Sequence, residues 1–121
     1  MTFDKFTIKA QEVVQEAVNT AQMNGQQTIE PIHVLKGILT KAKDVSTFIF
    51  QKLGVNANQV AMLVDQEIQH LPKVQGGQPY LSNDANSVLT KAMDTAKQMD
   101  DEFVSVEPIL LALLTVNSTA S

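Results

Sequence analysis

From Thr7 the chain reads TIKAQEVVQEAVNTA, and Ala10, Val13, Val14, Ala17, Val18 and Ala21 fall on one face of a 3.6-residue helix. Seventy-five residues later SNDANSVLTKAMDTA repeats the pattern, with Ala85, Val88, Leu89, Ala92, Met93 and Ala96 on the buried stripe. Thr7 and Ser82 stand just ahead of the two stripes, where a side-chain hydroxyl can accept a hydrogen bond from a first-turn amide. Both segments are predicted to be capped amphipathic helices. Gly25 follows the first stripe and suits the left-handed residue that ends a helix. The second copy writes MDDEF in that region, so the copies are expected to diverge there.

A second correspondence follows: TIEPI at 28–32 and SVEPI at 105–109, each ahead of an aliphatic run. With Thr28 and Ser105 as N-caps, Glu30 and Glu107 fall in the first turn, where a carboxylate meets the positive helix end. Pro31 and Pro108 then stand where a missing amide hydrogen has no consequence. The Glu-Pro pairs lie 77 residues apart, not 75, which puts two extra residues in the second connection; aligning the aliphatic runs puts one there. Ile32, Leu35, Ile38 and Leu39, and Ile109, Leu110, Leu111, Leu113 and Leu114, describe helices apolar on most sides. These are predicted to be the central helices, each buried Leu or Ile contributing about 1.5–3 kcal/mol.

VSTFIFQKLGV predicts a short helix ended by Gly54. NANQVAMLVDQEIQHL predicts another, capped by Asn56 and burying Val60, Leu63, Val64 and Ile68. PKVQGGQPY, with Pro72, Gly76, Gly77 and Pro79, reads as a linker. The chain is thus expected to be one all-α domain over 1–121, a pseudo-twofold repeat of a four-helix unit. Repeat one covers 1–71, the linker 72–80 and a partial repeat two 81–121. A complete second copy would run to about residue 146, so its last two helices are expected to lie beyond Ser121.

Composition narrows the function. With 44% hydrophobic and 18% charged residues the chain is globular in character, and no apolar run approaches the length that spans a bilayer. The first residues mix charge with Phe3, Phe6 and Ile8 in a way unlike a leader, so export is not expected. The absence of cysteine removes disulfides and thiolate chemistry and suits a reducing cytoplasm. A net charge of −4 with dispersed lysines argues against nucleic acid and anionic membrane as partners and leaves protein. His33 and His70 lie far apart without metal-ligand spacing, so no metal is expected. No phosphate loop, nucleophile elbow or dinucleotide turn is present, and no catalytic residue is expected. The five methionines read as core filler, with Met99 beside the acidic run as the one expected at the surface.

KFTIKAQEVVQEA, IEPIHVLKGIL, LGVNANQV and DDEFVSVEPILLALL, in that order around an internal repeat, resemble the N-terminal domain of Clp-type AAA+ chaperones, most closely the ClpB disaggregase branch. The resemblance covers essentially the whole chain. It implies a mobile, non-catalytic domain in front of two ATPase modules of a homohexamer, binding unfolded or aggregated polypeptide. ATP and Mg belong to those further modules, not to this domain. It implies a polypeptide site at Thr7, Asp101 and Glu107, with Pro108, Ile109 and Leu110 as an apolar wall. Residue chemistry alone offers plainer roles: an N-cap for Thr7, a solvated loop for Asp101, and a helix-dipole partner for Glu107, as for its twin Glu30. Two other readings stand beside it: docking of an adaptor protein or of phosphoarginine through Glu30 and Glu107, as in the ClpA and ClpC branches, and a structural spacer that binds nothing. Many relatives write Glu-His where this chain has Glu30-Pro31 and Glu107-Pro108, and Gly-His where MNGQQ and QMDDE stand, which bears on the depth of the apolar patch.

Overall fold

A computed structural model describes residues 3–74 and 77–116, and among these the first of six helices is α1 (Ile8–Met23). After α1 come β1 (Thr28–Ile29), α2 (Pro31–Lys41), α3 (Lys43–Lys52), α4 (Ala57–His70), β2 (Tyr80–Leu81), α5 (Asn83–Gln98) and α6 (Val106–Val116). Met1, the linker's Gly76 and the tail after Val116 lie outside the described residues. The predicted stripes are the buried faces of α1 and α5. Thr7 Oγ1 accepts from Ala10 N at 3.1 Å and Ser82 Oγ from Ala85 N at 3.0 Å, so both hydroxyls cap as expected. Asn56 caps α4 through Gln59 N at 3.1 Å. Helices α1 and α2 pack together, α5 and α6 likewise, and α2 meets α6 at the centre, while α3 and α4 cover α2.

The two copies do not diverge after their first helices. Helix α1 ends with Gln26 N bonded to Ala21 O and Gly25 N to Gln22 O; α5 ends with Asp101 N on Ala96 O and Asp100 N on Lys97 O. These are the same double-bonded C-terminal turn, with Gly25 at φ 66° and Asp100 at φ 57° in the left-handed position. The offset of 75 persists beyond the turn. Ser82 N donates to Ile29 O at 3.0 Å, and the matching Thr7 N donates to Val104 O at 2.9 Å. Buried positions 31, 33, 34, 35, 37 and 38 of α2 recur as 106, 108, 109, 110, 112 and 113 of α6.

TIEPI and SVEPI are therefore out of register with the fold. Thr28 is not an N-cap but a residue of β1; Glu30 is the cap of α2, and its counterpart is Ser105. Pro31 is the first residue of α2 and Pro108 the third of α6. A helix leaves its first four amides without intrahelical partners, so proline fits at either place and does not fix the register. No extra residue is inserted in the second connection.

Two short parallel pairings cross between the halves. Thr28 and Ile29 pair with Tyr80 and Leu81, and Phe6 pairs with Val104. Each half's inter-helix loop thus grips the segment that leads into the other half's first helix. Tyr80, placed by sequence at the end of the linker, belongs to one of these grips.

One polar chain is buried among the leucines and valines. Glu30 N donates to His33 Nδ1 at 2.8 Å, His33 Nε2 lies 2.7 Å from Gln26 Oε1, and Gln26 Nε2 donates to Ile68 O at the end of α4. Since Nδ1 accepts from a backbone amide, the proton sits on Nε2 and the ring is neutral. His33 is fully buried, and desolvation pulls its pKa down from 6.5 to about 4. Elsewhere the core departs from sequence at several positions: Leu63 is 54% exposed and Val60 half-buried where burial was predicted, Leu111 of α6 is exposed, and Met23 and Met62 join Met99 at the surface.

Three outcomes follow for stability. The native state favours neutral His33, so its contribution is complete above pH about 6.5 and falls as pH drops toward 4, reaching a loss of about 2 kcal/mol at pH 5. Denaturant midpoints at pH 7.5 and 5 should show this loss, and His33→Gln should remove the slope while retaining a side chain that can cap Glu30 N. A Cβ on Gly37 would strike the carbonyl oxygen of Val13. Gly37→Ala should therefore destabilise by roughly 1–3 kcal/mol, although its counterpart in α6 is already Ala112. Asp100→Gly should stabilise by about 0.5–1 kcal/mol, read as a raised midpoint, because the left-handed backbone no longer carries a Cβ.

Candidate functional site

Three of the residues implied by resemblance lie within three residues of the Phe6–Val104 pairing along the chain. Thr7 begins α1 with its amide on Val104 O; Asp101 precedes Val104 by three residues and Glu107 follows it by three. Thr7 Oγ1 is half-buried, and among the described bonds it accepts from Ala10 N and donates none. Asp101 is exposed because the turn ending α5 spends only its backbone amide, on Ala96 O. The equivalent Gln26 is buried in the His33 chain, so one turn geometry holds an interior amide in the first half and a surface carboxylate in the second. Glu107 is exposed in the first turn of α6, where the helix end favours its charge.

The expected apolar wall is not at the surface. Ile109 and Leu110 have no exposed area and Pro108 is buried, because all three occupy the core stripe that matches Val34, Leu35 and His33 of α2. Other apolar side chains of the same chain segments are exposed instead. Ile8, next to Thr7, is 77% exposed; Phe103, next to Val104, and Met99 of the preceding turn are also exposed. Leu111, one helical turn beyond Glu107, shares its exposed face. Sequence had one signal for this set, namely that Ile8 lies off the buried stripe of α1; it named only Met99 and counted Leu111 in the apolar run of α6.

Glu30, the alternative docking residue, lies at the opposite pairing. It is half-buried as the cap of α2 and is not the structural twin of Glu107. Among the described residues there is no group of His, Asp or Glu arranged to hold a metal ion, and no helix long and apolar enough to cross a membrane.

Comparison with known proteins places this geometry. The chain is 60% identical over 121 residues to chaperone protein ClpB of Bacteroides thetaiotaomicron and 45% identical over 121 residues to ClpB of Porphyromonas gingivalis. It spans 14% of the length of each of these relatives. Its fold matches the crystal structure of the Hsp104 N-terminal domain from Candida albicans with a TM-score of 0.84 at 24% identity, over 93% of this chain and 75% of that one. It also matches the N-terminal domain of the ClpV1 ATPase from E. coli with a TM-score of 0.83 at 17% identity, over 98% of this chain and 72% of that one. The sequence pattern described as the Clp repeat (R) N-terminal domain matches residues 5–121, and the chain belongs to that family.

Proposed function

We propose that this domain captures exposed segments of unfolded or aggregated polypeptide and presents them to an ATP-driven disaggregase of which it is the N-terminal part. The observation that supports the reading is the surface along the Phe6–Val104 pairing, whose neighbouring chain segments expose Ile8, Phe103 and Leu111 as well as Asp101 and Glu107. Such a surface favours chain segments that are apolar with a neighbouring Lys or Arg. The 60% identity to a ClpB chaperone supports the same assignment. The ATPase activity, with its Mg, belongs to the remainder of the parent protein, a cytoplasmic homohexamer on this reading. Binding by one domain is weak and sequence-tolerant, because ordering a flexible chain on a shallow surface offsets most of the contact energy. Six copies in a ring then supply avidity.

Titrating the labelled domain with a permanently unfolded polypeptide should shift the amides of Thr7, Asp101 and Glu107 together with those of Ile8 and Phe103. Glu107→Gln should weaken binding about 2–5-fold without changing stability by more than about 0.5 kcal/mol, since the side chain is exposed. Thr7→Ser retains the cap and should leave the fold intact, whereas Thr7→Ala should lose about 1 kcal/mol through the cap alone. If the domain ignores unfolded chains and instead binds a folded adaptor or phosphoarginine through Glu30 and Glu107, the adaptor reading replaces this one.

A further inference from the structure

Loop 25–30 is the hub to which several other segments are tied. Gln26 Nε2 donates to Ile68 O at the end of α4, Gly25 O accepts from Val74 N of the linker, Gln27 O accepts from Tyr80 N of β2, and Ile29 O accepts from Ser82 N ahead of α5. His33 holds this loop from inside. Its Nε2–H donates to Gln26 Oε1, which orients the amide so that Gln26 Nε2 reaches Ile68 O, and its Nδ1 accepts from Glu30 N. The last bond exists only while Nδ1 carries no proton. A proton there would set two donors, Nδ1–H and Glu30 N–H, against each other at 2.8 Å and place a cation in the core.

No neighbouring group is built to take up that charge. Among the described residues the buried polar side chains are Thr20, Gln26, His33 and Ser46, of which His33 alone titrates. The elements packed against α2 carry Lys9, Glu12 and Glu16 on α1, Lys43, Asp44 and Lys52 on α3, Asp65, Glu67 and His70 on α4, Asp84, Lys91, Asp94 and Lys97 on α5, and Glu107 on α6. All of these are exposed except half-buried Glu16, as are Lys73 of the linker, Tyr80 of β2 and Lys41 of α2 itself. Half-buried Lys36 is paired with Asp65, and Glu30 is half-buried as the cap of α2. Burial alone lowers the pKa of His33, from 6.5 to about 4. The second half has no such group: Pro108 stands in the place of His33, and exposed Asp101 in that of Gln26.

We propose that His33 is a proton-operated latch: a proton on Nδ1 releases loop 25–30 from the end of α4 and loosens the β1–β2 grip, while the half built on the Phe6–Val104 pairing stays closed. The opening is local and precedes loss of the whole fold, because the bonds it breaks converge on one loop. It does not depend on what the domain binds. Helix α4 also walls an open groove of about 640 Å³ that is rimmed by Glu30, Glu67 and Asp84, so the closed latch holds that wall in place.

The experiment follows amide hydrogen exchange of the 121-residue chain at pH 7.5 and pH 5, a window mostly above the ordinary carboxylate range, in which its two histidines are the side chains that titrate. Corrected for intrinsic exchange, opening at the amides of Glu30, Tyr80 and Ser82 should rise about 25-fold at pH 5, the factor by which an open state protonating at 6.5 gains on a closed one protonating at about 4. Opening at Thr7 and Val104 should change less than about threefold, and low urea should leave the Glu30 group unaffected, since a local opening exposes little surface. His33→Gln keeps an acceptor for Glu30 N at every pH and should abolish the rise. His70→Gln, at an exposed position of α4, should leave it within about twofold.

The latch is overturned if Thr7 and Val104 accelerate in parallel with Glu30 and with the urea dependence of global unfolding, for then the proton unfolds the domain as a whole. It is equally overturned if Glu30, Tyr80 and Ser82 show no rise, or if the rise is lost in His70→Gln. A rise that survives in a folded His33→Gln has the same consequence; should that variant not fold, the contrast between the two pairings in the unaltered chain decides alone.

Discussion

Two reciprocal pairings hold the halves of this domain in register. Ile29 O accepts from Ser82 N, and Val104 O accepts from Thr7 N, so each inter-helix loop is tied to the entrance of the other half's first helix. The strands involved are only a few residues long and would be unstable alone. They persist because each is anchored at both ends: by the double-bonded turn that closes α1 or α5, and by the first turn of α2 or α6 that follows. Fixing these loops fixes where α2 and α6 begin, and those helices fill the centre of the core.

The same constraint makes the surfaces of the two halves geometric counterparts. Each pairing lies beside a helix start, a loop and a central helix, so any surface built at one has a geometric counterpart at the other. The sequence then makes them unlike. At the first half the loop turns inward: Gln26 and His33 are buried and join the end of α4 through Ile68 O. At the second half Asp101 occupies the same turn and points to solvent, and Pro108 replaces the histidine. One side is thereby a buried polar joint between the loop and α4, with a groove rimmed by Glu30, Glu67 and Asp84 beside it. The other exposes both carboxylates and apolar side chains.

The reading of SVEPI as a second TIEPI shows where local signals stop. Glu and Pro are favourable anywhere in a helix's first turn, because the amides there lack partners and the dipole welcomes a carboxylate. They announce that a helix begins nearby without stating at which residue. The buried positions of α2 and α6 agree at an offset of 75, and a shift of two would rotate the core face of α6 by more than half a turn. The loop pairing, a contact distant in sequence, chose the register.

What the sequence determined alone was the period of 75, the buried stripes of α1 and α5, and the caps Thr7, Ser82 and Asn56, because each is encoded within a few residues by spacing and side-chain hydrogen bonding. Thr7, Asp101 and Glu107 entered as a candidate site through family resemblance, and the structure places them within three residues of one loop pairing. Only the tertiary structure decided that Ile109 and Leu110 face inward while Leu111 faces outward, and that Leu63 is left at a groove. A helix apolar on nearly every side has no preferred face of its own; the helices packed against it assign one.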